Sequence, residues 1–259
     1  MKPKLEVQRD LAGFVNELVD LAEKIEQRIP PNPQKCADEK NFFLRNFLHR
    51  NVDYANNVVT LVKGKHSHAA VLVARAVFEG IVYLESYRKL DDSLAKKWCY
   101  YSIYEVYREK YERYDKTAAD KWLRQYAREH EHGAEIVENA QKEFVFDDRK
   151  QNWHQNLGKI SNLFEKLGGL DDPDLARLAE LKRRLYDPFS KVAHWTPQGV
   201  TAGDRFTLPA ISLTFECLHW VSKAVTGEFD LDFDDDLGDL WRRYLLHSAD
   251  TLGLTPVFV

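Results

Sequence analysis

Four side chains in this sequence could do chemistry together: Arg75, Glu79, Ser190 and His194. Arg75 and Glu79 stand four residues apart in "HAAVLVARAVFEGIVYL", and they are the only charged residues between Ala69 and Leu84. On a helix that spacing puts both on one face. Charges on so apolar a helix are costly unless they are paired or hydrogen-bonded. Replacing a buried ion pair with apolar residues is often neutral, so stability alone accounts poorly for this one. Two readings follow. The pair is either an intrahelical salt bridge that fixes bundle register, or the floor of a polar cavity shared with another helix. In the second, Arg75 would bind phosphate or stabilise a transition state, and Glu79 would orient it.

Ser190 and His194 repeat the four-residue spacing in "YDPFSKVAHW". Asp187 followed by Pro188 reads as an N-cap and a first-turn proline, so a helix is expected to start there. Phe189 and Val192 then face the core, Ser190 and His194 share a side, and Tyr186 falls off that side because Pro188 interrupts the helix. A serine one turn before a histidine is not a nucleophile without an oriented base and oxyanion donors. The GxSxG elbow is absent as well. Ser190 is therefore read as a hydrogen-bond partner and His194 as a general acid/base.

The remaining clusters carry less. In "REHEHGAE", His130 and His132 diverge by roughly 200 degrees on a helix and would not chelate one ion. "DLDFDDDLGD" has Asp235 where a calcium loop needs glycine and Trp241 where it needs glutamate, so it reads as an acidic loop capping the final helix. "GKHSH" lacks the rest of a phosphate loop. The tyrosines of "WCYYSIYEVYREKYERY" recur at helical spacing, as a partner-facing or helix-packing surface. No cofactor and no metal is expected.

The elements that must position these residues are helices. Phe14, Leu18, Leu21 and Ile25 form one apolar stripe that ends at "IPPNP". Further helices are predicted over 38–62, from His68 to Leu90, over 92–113, 116–132 and 149–167, from "DDPDLARLAELKRRLY", and from two closing segments. No segment alternates as a strand does. An all-α fold follows: one domain over 1–259, with an N-terminal helix (1–30), a bundle core (38–90 and 147–226), a charged helical insert (92–143) and a C-terminal helix (237–252). With 44% hydrophobic residues and six Trp, a sizeable core can be buried. A net charge of −4 argues against a broad basic surface for nucleic acid. Cys36, Cys99 and Cys217 lie far apart, as reduced thiols in a cytoplasm do. The apolar run around Arg75 is short for a membrane span, so no membrane partner is expected.

The helix "ARAVFEGIVYL" and, about a hundred residues later, "YDPFSKVAH" together resemble an all-helical bacterial family, domain-of-unknown-function family 5677. The motifs fall on Arg75, Phe78, Glu79, Tyr186, Ser190 and His194. The resemblance covers roughly residues 40 to 225. It implies a helical bundle in which the two motifs converge, and it brings no activity with it. A more distant analogy is to the HEPN superfamily, many of whose helical bundles are metal-independent ribonucleases with an Arg-x(4–6)-His signature. Arg124–His130, Arg149–His154 and Arg242–His247 match that spacing about as often as chance would place them, and Arg184 lies ten residues before His194. Two functions are carried forward. One is a bacterial defence or toxin-type effector that cleaves RNA, alone or with a partner protein or as a homodimer. The other is a non-catalytic binding or assembly module whose polar cluster is structural.

Overall fold

In a computed structural model of the chain, the residues described are 4–30, 39–147, 151, 160–193 and 203–252. They form eleven α-helices: α1 (Lys4–Arg28), α2 (Glu39–Lys63), α3 (Ser67–Lys89), α4 (Ser93–Arg113), α5 (Lys116–Glu129), α6 (Gly133–Glu143), α7 (Ile160–Gly168), α8 (Pro173–Leu181), α9 (Asp187–Ala193), α10 (Thr207–Phe229) and α11 (Asp234–Leu252). A π-helical turn, Lys182–Tyr186, joins α8 to α9, and a 3-10 turn, Gly203–Phe206, precedes α10. Among the described residues there is no strand, and the fold class is all-α. Two compact units emerge: Met1–Ile29 with Arg45–Leu84 and Lys166–Val259, and Pro30–Leu44 with Glu85–Glu165.

The first unit is built on α10. Its sequence is apolar all round, and Ile211, Leu213, Phe215, Leu218 and Val221 are fully enclosed, as expected of a helix with neighbours on most sides. α1 lies along it through Leu11, Val15, Leu18, Ala22 and Ile25, all without exposure. Phe14 and Leu21, expected in that stripe, flank it half-buried; Phe14 meets Phe215 and Tyr244 edge-on at 6.2 and 6.0 Å. α10 ends where Asp230 turns left-handed, with φ 51°. Three aspartates, Asp234, Asp235 and Asp236, occupy the first turn of α11, where carboxylates suit the positive end of the helix dipole.

α3 runs 23 residues, shifted by one from the expected His68–Leu90, and by length and composition it could cross a membrane. Within this unit Val71, Ala74, Val77, Phe78, Ile81 and Val82 are fully covered by protein. One side is left partly open: Leu72, Arg75, Glu79 and Tyr83 all keep some exposure.

In the second unit α4, α5 and α6 pack on one another. The tyrosine-rich stretch is mainly packing surface. Tyr100, Tyr104 and Tyr107 are enclosed, with Tyr104 stacked on Phe144 at 5.1 Å and Tyr107 donating to Asp120 at 3.0 Å. Asp115 caps α5 by accepting from the Ala118 N–H at 2.7 Å. The helix expected to reach His132 stops at Glu129, because His130 is extended, with φ −104° and ψ 141°; His132, left-handed with φ 56°, then turns the chain into α6. Gly133 makes that turn sterically possible. A Cβ there would lie 2.5 Å from the Tyr126 carbonyl oxygen and 3.0 Å from that of Ala127.

Candidate functional site

Arg75 and Glu79 sit one turn apart on α3, and the Arg75 Nε–H donates to Glu79 Oε1 at 2.9 Å. The third member comes from the other end of the chain. The Tyr186 hydroxyl donates to the same Oε1 at 2.8 Å and accepts from Arg75 Nη2 at 3.3 Å. The guanidinium carbon lies 5.2 Å from the Tyr186 ring centre, and Phe78 backs the ring at 5.2 Å. All four residues belong to the first unit. The three polar side chains thus close a triangle of hydrogen bonds: the two to the Glu79 carboxylate are charge-assisted and within 2.9 Å, and the Arg75–Tyr186 side, at 3.3 Å, is the long one.

Burial differs across the triangle. Tyr186 is 6% exposed, whereas the Arg75 and Glu79 side chains keep 23% and 30%. The pair is therefore a half-open site and not the buried one expected from the apolar sequence around it. Partial burial pushes the Tyr186 phenol above its ordinary value, with the hydrogen bond to Glu79 and that carboxylate's charge acting the same way and Arg75 opposing. Tyr83, one turn beyond Glu79, is pushed up to about 12 by burial and by the charge of Glu79. Both phenols therefore stay protonated through the neutral range. Burial works against the Arg75 charge, but the bonds and charges of Tyr186 and Glu79 outweigh it and raise the pKa.

Tyr186 corrects the expectation that Pro188 opens a helix and leaves the tyrosine off its face. The chain is helical without a break from α8 into α9. Asp187 is helical, at φ −62° and ψ −45°, and its N–H reaches back five residues to the Lys182 carbonyl. A proline lacks the N–H for the helical ladder and its ring crowds the carbonyl four residues earlier. A π-helical turn widens the backbone just ahead of it, one recognised way for a helix to absorb such an insertion. The sequence signal was present in the four-residue interval from Tyr186 to Ser190, which a continuous helix keeps on one side.

Ser190 lies one turn after Tyr186 on α9, half-buried. Among the described residues it makes no hydrogen bond to Arg75 or Glu79. Phe189 and Val192 are buried as expected, Phe189 edge-on to Phe206 at 5.8 Å. His194 lies outside the described residues, as does Cys36; Cys99 and Cys217 are buried free thiols.

A second polar cluster in the first unit was not foreseen. Arg177 of α8 lies over the rings of Trp241 and Trp220 at 4.4 and 5.5 Å and pairs with Glu216 at 3.5 Å. Beside it, His219 is 7% exposed, stacked on Trp241 at 4.7 Å, and its Nε2 bonds the Leu237 carbonyl at 3.2 Å. Burial and the charge of Arg177 lower its pKa to about 4, so the ring is neutral and Nε2 carries the proton. A lone histidine in an apolar helix gave no sequence sign of this. Among the described residues no three His, Cys, Asp or Glu side chains are grouped to share a metal ion.

A family model described as a family of unknown function (DUF5677) matches residues 41–205 of this chain. That span holds α3, the π-turn and α9, and with them all three members of the triangle. No curated protein and no solved structure matches the chain.

Proposed function

The chain belongs to the family of unknown function DUF5677, which assigns no activity; from the site itself we propose that it is a metal-independent ribonuclease of HEPN-like type, serving as a defence or toxin-type effector in a bacterial cytoplasm. The observation that carries this reading is the half-open guanidinium of Arg75, held by Glu79 and Tyr186 and still 23% exposed. A structural ion pair has no need of a fixed, partly solvent-facing arginine. A phosphate site has. In this mechanism His194 takes the proton of the attacking ribose 2′-hydroxyl and then protonates the leaving oxygen. Arg75 holds the phosphate and stabilises the charge that builds on it. Glu79 orients Arg75, and Ser190, four residues before His194, is a hydrogen-bond partner for that imidazole and not for the ion pair.

The test is RNA cleavage and cell toxicity for the wild type, His194→Ala and Arg75→Ala. A general acid/base contributes roughly 10²–10⁴-fold and a donor to the transition-state charge roughly 10²–10³-fold, so each variant should lose at least about a hundredfold in cleavage. Undiminished cleavage in both would sink the site.

The alternative is a non-catalytic binding or assembly module. The net charge of −4 favours it, because counter-ion release from phosphates gives nucleic-acid binding much of its strength. In that reading the triangle is structural, and no variant of it changes RNA.

A further inference from the structure

From the way Arg75 is tethered we infer that it is the receptor for a singly charged oxyanion taken end-on, with Tyr186 as the positioning residue that makes it one. The inference deepens the proposed function, resting on it only in treating this side of α3 as ligand-facing.

A guanidinium offers two edges to a bidentate acceptor: the side edge, Nε with Nη2, and the end edge, Nη1 with the outer N–H of Nη2. Here the side edge is spent. Nε–H goes to Glu79 Oε1 and one Nη2 proton to the Tyr186 oxygen. Glu79 alone would satisfy that edge with both its oxygens. Tyr186 takes the second place instead, and donates its own proton to Oε1. The arginine is thereby fixed at two nitrogens, and three of its N–H groups, two of them along the end edge, have no acceptor among the described residues. The side chain keeps 23% of its surface exposed, and the end edge is the part of the guanidinium that neither Glu79 nor Tyr186 holds. Fixing the fork in advance removes the rotamer cost a free arginine meets on binding.

The charge of the ligand follows from Glu79. Arg75 and Glu79 sum to zero, so the net field of the pair is weak and offsets the dehydration of a monoanion better than the much costlier dehydration of a dianion. Phosphodiesters and carboxylates share the required chemistry, one negative charge over two coplanar oxygens. Terminal phosphates at neutral pH and above do not.

The experiment follows the Nε–H resonance of Arg75 by NMR in protein with labelled arginines, assigned by its loss in Arg75→Lys. The probes are dimethyl phosphate, acetate and, as dianion at pH 8, methyl phosphate. In the wild type dimethyl phosphate should shift that resonance, and Arg75→Lys should lose the binding. Tyr186→Phe should bind the diester roughly fivefold to tenfold more weakly, with the other arginine resonances and the melting temperature reporting an intact fold. Glu79→Gln keeps both acceptor bonds and removes the charge, so preference should swing toward methyl phosphate by about tenfold. An unmoved Arg75 resonance with all three probes overturns the receptor. Equal diester affinity in Tyr186→Phe overturns the positioning role, and an unchanged probe preference in Glu79→Gln overturns the charge selection. Acetate binding in place of dimethyl phosphate would uphold the receptor and sink the ribonuclease, which keeps the two failures apart.

Discussion

At the scale of single residues, the structure turns a two-member ion pair into a three-member one, and this changes what substitution should do. Removing Arg75 strands a half-buried carboxylate that still holds a phenol proton, and removing Glu79 strands the guanidinium. Arg75→Leu or Glu79→Leu alone should each cost about 1–2 kcal/mol, discounted from the fully buried case because both side chains reach water. The double variant should recover most of one of those losses, and urea unfolding of the four proteins as a cycle measures it. Simple additivity would show that the pair is uncoupled. Arg75 and Glu79 were legible from charge in an apolar run. Tyr186 was legible as a motif position one turn before Ser190, but its bonds to Arg75 and Glu79 were not, because those partners lie more than a hundred residues away and no local pattern encodes a long-range hydrogen bond.

At the scale of elements, two local conformations decide where side chains point. One is the π-turn Lys182–Tyr186, which carries the helix through Pro188 and sets the register in which Tyr186 reaches α3. The other is the α5–α6 corner, where His132 is left-handed and Gly133 lies against two carbonyl oxygens. Backbone atoms cannot move aside as a flexible side chain can. Gly133→Ala should therefore destabilise the protein by at least about 1 kcal/mol, although alanine is the better helix former. Thermal unfolding would show it; an alanine variant as stable as the parent would mean that the corner relaxes. Most helices were legible from the period of their apolar and aromatic residues, as at α4, expected over 92–113 and found over Ser93–Arg113. The corner was not, since "REHEHG" has the composition of a helix end without fixing which residue leaves the helix.

At the scale of the molecule, acid should loosen the protein through His219. Its folded pKa is about 4, against an ordinary value near 6.5. Between those values the unfolded chain takes up a proton that the folded one refuses, so stability is full above pH 6.5 and falls as the pH drops toward 4. The loss across that window is about 3 kcal/mol at most, from roughly 1.4 kcal/mol per pKa unit. Urea midpoints measured from pH 7.5 to 5 should fall in the wild type and fall less steeply in His219→Gln. Parallel curves would show that the imidazole is not the group responsible.

From the sequence alone it followed that the fold class is all-α and that Arg75 and Glu79 share a face. These follow from the period of apolar residues and from the cost of placing charge among them, both local properties. Only the tertiary structure decided that the pair is half-open, that Tyr186 completes it, and that His219 lies neutral against Arg177. Each of these depends on which distant surface covers a side chain, and burial by a remote helix leaves no mark on the residues beside it in the chain.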